Sequence, residues 1–142
     1  MELYSPYIIA LVSALLLSHV VKYIVASVGS GLDFKRKFFK SGGMPSAHTA
    51  TAMAVWTVIL YMDGWSSGLF GLASVVLVVV AYDAVTVRRS SGEQGEALKL
   101  LIKEQKSKVK MPRIAKGHTL AEMLGGIVLG LVVGAVVLIF TS

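Results

Sequence analysis

Two histidines stand where an apolar chain can least easily carry polar groups. His48 closes the run Ser41-Gly42-Gly43-Met44-Pro45-Ser46-Ala47-His48, and His118 lies near the start of Gly117-His118-Thr119-Leu120-Ala121-Glu122. Each heads a long stretch rich in Val, Leu, Ala and Gly, where polar side chains are costly and by default functional. Imidazole can act as nucleophile or proton donor near neutral pH, so a pair of them suits group transfer. Glu122, four residues after His118, falls on the same helical face. Its carboxylate can accept the Nδ1 proton and leave Nε2 aimed at a substrate. Arg88 and Arg89 offer planar forks of donors that match phosphoryl oxygens, and Lys22 adds a compact positive charge. Gly42 and Gly43 let backbone approach closely, and the helix start after Pro45 and Ser46 leaves N–H groups for an anion. Together these residue types could do chemistry on a phosphate group.

The elements that must position them are membrane helices. Of 142 residues, 55% are hydrophobic and 15% charged, and the mean hydropathy is +0.73. A helix of about 20 apolar residues crosses a bilayer core. The apolar runs predict an all-α fold, an integral membrane helical bundle of about four transmembrane helices forming a single domain over residues 1–142. The expected spans are 5–28, 46–62, 66–87 and 119–140, with an interfacial amphipathic helix over 93–107. The first run lacks a basic n-region and a small-residue cleavage site, which predicts a retained span rather than a signal peptide. The tight Asp63-Gly64-Trp65 connector makes the second and third spans antiparallel neighbours. The absence of cysteine excludes disulfides, thiolate metal sites and cysteine nucleophiles.

The net charge of +6 raises the question of nucleic acid, but its distribution argues against that partner. All Lys and Arg except Lys22 fall in two connectors. Lys35, Arg36, Lys37 and Lys40 lie in the first; Arg88, Arg89, Lys99, Lys103, Lys106, Lys108, Lys110, Arg113 and Lys116 lie in the second. With four spans both connectors share a side, which the positive-inside rule makes cytoplasmic. A multi-pass protein of the cell membrane is expected, with both termini and the Asp63 turn outside. Tyr4, Tyr7, Tyr61 and Trp65 then fall at the outer interface, as an aromatic belt would. Every span delivers a polar group to the cytoplasmic layer. Ser46 and His48 open the second, and His118 and Glu122 open the fourth. Arg88 and Arg89 follow the third, with Asp83 about a turn inside. Lys22 lies about 9 Å inside the first at 1.5 Å per residue.

Within the second connector, Ala97, Leu98, Leu101 and Ile102 gather on one helical face. That suits a helix in the lipid interface, and equally a soluble helix packed on the other connector. The segment 106–116 is basic, contains Pro112 and suits a loop near anionic headgroups. In the fourth span His118, Glu122, Gly126, Gly130 and Gly134 recur at spacing four. Small residues in such a stripe permit close helix packing in membranes, either within the chain or as the seam of a homodimer. Taken singly, each polar residue has a plainer role. Lys22 could snorkel to headgroups, the arginines could anchor the interface, and Asp83 could be a structural partner for one of them. His19, a turn before Lys22, is expected to be structural. The plain roles lose ground jointly, because all these groups share one layer.

Three of these segments resemble motifs of the type 2 phosphatidic acid phosphatase and vanadium haloperoxidase superfamily, and most closely its small divergent branch. Pro45-Ser46-Ala47-His48 is similar to the superfamily's Pro-Ser-x-His motif. His118 with Glu122 is similar to its His followed four residues later by an acid, with Glu in place of Asp. The divergent branch's Ser-Gly-Gly-Met-Pro-Ser-Ser-His, Tyr-Asp-Ala-x-Gly-Val-Arg-Arg and Gly-His-x-Pro-x-Glu resemble residues 41–48, 82–89 and 117–122 here. Ala47, Thr86 and Leu120 depart from that pattern without removing a reacting group. Pro112 occupies the position of the superfamily's third-motif Arg, so Arg88, Arg89 or Arg113 must supply that charge; Arg36 is the candidate for its first-motif Arg. The resemblance implies that His118 attacks phosphorus to form a phosphohistidine and His48 protonates the leaving oxygen. Lys22, Ser46, Arg88, Arg89 and the Gly43 amide would hold the phosphoryl oxygens. It implies no metal and no cofactor.

The expected function is therefore a lipid phosphate phosphohydrolase, acting in the cytoplasmic layer on a lipid or polyprenyl phosphate or pyrophosphate. One alternative is a lipid phosphotransferase. Another is a non-enzymatic metal- or lipid-binding membrane protein using His48, His118 and Glu122. Against a metal site, Lys22, Arg88 and Arg89 would repel a cation, and the His-Glu-x-x-His signature is absent.

Overall fold

The structure, a computed structural model, describes residues 5–27, 43–112, 114 and 117–141. Tyr4, Lys35, Arg36, Lys37, Lys40, Ser41, Gly42, Arg113 and Lys116, all named above, lie outside the described residues. The helices are α1 (Pro6–Ser27), α2 (Ala47–Asp63), α3 (Gly68–Val85), α4 (Val87–Glu104) and α5 (Leu120–Thr141). Among the described residues there is no strand. The chain is thus an all-α membrane bundle. Pro6–Val25, the α3–α4 run Gly68–Glu104 and Leu120–Thr141 are each long and apolar enough to cross a bilayer.

At 17 residues, α2 is the shortest helix, about 25 Å long at 1.5 Å per residue. It is also the hub, because α1, α3 and α5 all pack against it. The packing is made by small side chains. Ala10 and Ala14 of α1, Ala50 and Ala54 of α2, and Gly126, Gly130 and Gly134 of α5 are buried. Val58, Val133, Val137 and Leu138 complete the core. In lipid there is little hydrophobic drive between helices, so close backbone approach by small residues is what holds them together.

The glycine stripe of α5 is used entirely within the chain. A Cβ on Gly126 would lie 2.6 Å from the Ser46 carbonyl oxygen, and one on Gly134 would lie 2.7 Å from Thr57 Cβ. A Cβ on Gly130 would strike the Ala50 carbonyl. Of the two uses open to the stripe, the structure takes the seam with α2, which removes the stripe as grounds for a homodimer.

At the end remote from the histidines, Tyr7 donates from its hydroxyl to Asp63 Oδ2 at 2.7 Å, tying α1 to α2. Trp56 Nε1 donates to Ser74 Oγ at 2.8 Å, and its ring lies 5.0 Å from that of Phe70, tying α2 to α3. The turn between these two helices places Gly64 at φ +81°, a conformation that glycine adopts without strain. Ser67 caps α3 by accepting from the Phe70 N–H at 3.1 Å.

The amphipathic helix departs from expectation in extent. It begins at Val87 rather than 93 and ends at Glu104 rather than 107, with only Thr86 between it and α3. Helical hydrogen bonds run through this point, from Thr86 N–H to Tyr82 O at 3.0 Å and from Ser90 N–H to Thr86 O at 2.9 Å. The Thr86 hydroxyl also donates to the Tyr82 carbonyl, the kind of competition that disturbs a helix locally. Of its apolar face, Ile102 is buried, and Leu98 and Leu101 are about half exposed. The covered stripe also includes buried Gly92 and Gly95, which lies beneath the side chain of Ile114. Glycines carry no hydrophobic signal, yet they let the returning segment lie close against the helix.

Candidate active site

The start of α5 is built around Glu122. Its Oε2 accepts the backbone N–H of Thr119 at 2.9 Å, while Thr119 Oγ1 accepts the N–H of Glu122 at 3.3 Å. This reciprocal capping box satisfies two helix-terminal donors. The same carboxylate oxygen lies 3.3 Å from His118 Nδ1. With Nδ1 protonated and donating to Glu122, Nε2 carries the free lone pair. The backbone N–H of His118 donates to the Ala84 carbonyl at 2.9 Å, anchoring it to the end of α3. Only 9% of His118 is exposed.

The neighbouring glycines set how close these strands of backbone come. A Cβ on Gly117 would collide with the backbone of Arg88 and Arg89, so the chain reaches His118 only because that position is bare. Gly43 has φ +92° and lies against the stem of Lys22, whose Cε would be 3.3 Å from a Cβ there. Met44 packs over Gly125 of α5. Ser46 is fully buried, its N–H donating to the Glu122 carbonyl at 3.0 Å and its Oγ accepting from Thr49 at 3.0 Å. Ser46 therefore fastens the head of α2 to the head of α5 through the same residue that orients His118.

Charge gathers around this junction. Arg88 forms an ion pair with Asp83 at 2.6 Å. Lys22 acts electrostatically on both Glu122 and His118, and Arg88 acts on both histidines. His48 is exposed on the first turn of α2 and is electrostatically coupled to His118, Asp83 and His19 as well. The Nδ1 of His19 donates to the Leu15 carbonyl at 2.7 Å. Arg89 is turned elsewhere, pairing with Glu93 at 3.2 Å and lining a cavity of about 610 Å³ beside His118 with Glu96, Ala97 and Leu100. Burial holds His118 below the usual histidine range. The Glu122 charge and hydrogen bond oppose that shift, and the Lys22 and Arg88 charges reinforce it.

His118, Glu122, Lys22, Arg88 and His48 are thus drawn from four helices and the segment before α5 into one neighbourhood. Among the described residues, no group of three or more His, Asp or Glu could enclose a metal ion. Thr119, Gly117 and the Ala84 carbonyl were not recognised from sequence. The Thr119-Leu120-Ala121-Glu122 capping box was readable there; the other two depend on tertiary contact.

The membrane protein YuiD of Bacillus subtilis (strain 168), itself described as uncharacterized, is 30% identical over 134 residues, covering 88% of this chain and 84% of YuiD. No solved structure matches the chain significantly. The model of the divergent PAP2 family matches residues 3–133, nearly the whole chain and every residue of the site, and the protein therefore belongs to that family.

Proposed function

We propose that this membrane protein is a lipid phosphate phosphohydrolase that works through a phosphohistidine on His118. The observation that carries the proposal is the Glu122 carboxylate on Nδ1 of a nearly buried histidine, with His48, Lys22 and Arg88 in electrostatic reach. Neutral His118 attacks phosphorus through Nε2. A P–N bond forms as the P–O bond to the lipid breaks. Imidazolium His48 gives its proton to the departing oxygen, so the lipid leaves as an alcohol. Glu122 accepts the Nδ1 hydrogen bond and stabilises the positive charge that grows on His118. Lys22 and Arg88 offset the negative charge on the equatorial oxygens, and the Asp83 ion pair fixes the Arg88 fork. Water then attacks the phosphohistidine, His48 takes its proton, and phosphate departs. Gly43, Ser46 and Arg89 belong to the proposed phosphate-binding set. Ser46 and Gly43 serve it by shaping the loop, and Arg89 by adding positive potential at the rim.

We propose that this layer faces the cytoplasm at the plasma membrane, with the Asp63 turn outside; the Lys and Arg content of the two long connectors supports that reading under the positive-inside rule. The chain has no cysteine, so a Lys108→Cys variant reports side directly. Protection from an impermeant thiol reagent in intact cells is expected, and labelling from outside would reverse the orientation. For the activity, purified protein in detergent is expected to release phosphate from phosphatidic acid with chelator present, and vanadate should inhibit. Release abolished by chelation would favour a metal-dependent reaction instead.

A further inference from the structure

Among the described residues two recesses adjoin the histidines, and they differ in kind. One is the cavity beside His118 already described, lined by Arg89, Glu93 and Glu96 among its apolar residues. The other is a groove of about 430 Å³ bounded by α1, α2 and α3. Its lining is aliphatic, including Leu11, Leu15, Val55, Ile59, Leu72 and Val76, and His48 is its one titratable residue. Thr51 also lines it, but its hydroxyl is spent on the Ala47 carbonyl at 2.8 Å. Along α2 the lining runs from His48 to Ile59, about 16 Å at 1.5 Å per residue. That is close to the depth of one leaflet, half of a hydrocarbon core about 30 Å thick.

We infer that the apolar chain of the substrate lies in this α1–α2–α3 groove, with its phosphate-bearing end at His48. The inference rests on the hydrolase function proposed for the site. Displacement at phosphorus is in line, so the leaving oxygen departs on the side opposite the attacking His118 nitrogen. The residue that protonates this oxygen is His48, and the alcohol carrying the chain must therefore leave on the His48 side. The groove begins there. The cavity beside His118 lies on the attacking side, and its carboxylates would be desolvated by an apolar chain at considerable cost. A histidine within electrostatic reach of Arg88, at the head of an aliphatic groove about one leaflet deep, matches an anionic headgroup on a hydrocarbon tail.

The test compares two esters in one preparation of the full chain in detergent: dihexadecanoyl phosphatidic acid and p-nitrophenyl phosphate. The ratio of their kcat/KM values is independent of the fraction of folded protein. Ala73→Phe and Ala52→Leu narrow the groove from opposite walls and are each expected to lower the lipid-to-aryl ratio by roughly tenfold or more, the scale on which apolar pockets discriminate. Ala97→Phe, in the cavity beside His118, is expected to leave the ratio as in the native protein. An unchanged ratio in both groove variants, or a fall confined to Ala97→Phe, overturns the placement while leaving the hydrolase intact. If the native protein hydrolyses neither ester, the proposed function itself fails, and the placement with it.

Discussion

His118 and His48 occupy opposite surroundings. His118 is nearly enclosed, fixed at its backbone by Ala84 and at its ring by Glu122, on the tightest seam of the bundle. His48 is exposed on the first turn of α2, where the seam gives way to an open aliphatic groove. A nucleophile gains from a fixed position, because small misplacements of a reacting atom are costly in rate. A proton donor and acceptor must reach a leaving group, release it and then meet water. The contrast teaches that the packing around each imidazole suits a different step, in keeping with the roles proposed for them.

Removing either histidine should expose the difference. His118→Ala is expected to lower phosphate release by roughly 10³-fold or more on every ester, because no covalent route remains. His48→Gln is expected to cost roughly 10²–10⁴-fold on phosphatidic acid, the range of general acid–base catalysis. On p-nitrophenyl phosphate, whose phenolate leaves unaided, the His48→Gln loss in the phosphorylation step should be much smaller. Equal losses on both esters would remove the acid role from His48.

Glu122 sharpens the comparison, because it serves both the helix and the ring. Glu122→Gln retains a side chain compatible with the capping box but removes the charge that stabilises imidazolium. The carboxylate that orients a histidine in a hydrolase triad is worth up to about 10⁴-fold in kcat, and a loss of at least roughly 10-fold with little change in thermal stability is expected. The pH profile carries a sign. His118 is active as the neutral imidazole and burial holds it below its ordinary value of 6.5. The acid limb of kcat/KM should therefore have its midpoint below 6.5. Glu122 raises the His118 value, so Glu122→Gln should move that limb further toward acid. An acid limb centred above 6.5 would contradict the burial argument.

The smallest effect concerns the seam itself. Gly130→Ala places a methyl group against the Ala50 carbonyl and should cost about 1–3 kcal/mol through overpacking, read as a lower unfolding temperature in detergent. Ala135, which is exposed on the same helix, should tolerate Ala135→Leu with little change.

Much of this arrangement was legible in the residues. Spacing alone joined His118 to Glu122 and both to the glycine stripe, because helical periodicity is a local property. The partner of that stripe was not legible: a small-residue face announces close packing but not whether its partner is α2 or a second chain. On α4 the apolar face was legible, with Leu98 and Leu101 about half exposed, but the packing of Ile114 over Gly95 was not, because a glycine carries no hydrophobic signal. Arg88 and Arg89 are adjacent in sequence and look equivalent. Helix geometry separates them by about 100° of rotation, and Asp83 takes one while Glu93 takes the other. Gly117 gave no local sign of its role, since the backbone it clears is that of Arg88 and Arg89 at the start of α4.

Trapping the covalent intermediate tests the central claim most directly. The purified protein is mixed with phosphatidic acid labelled at phosphorus, quenched under conditions that preserve phosphohistidine, and mapped by peptide mass spectrometry. Phosphate on His118 in the native protein, absent from His118→Ala and present in His48→Gln, is the predicted result. Turnover without label on His118, or phosphate release that survives His118→Ala, would contradict it.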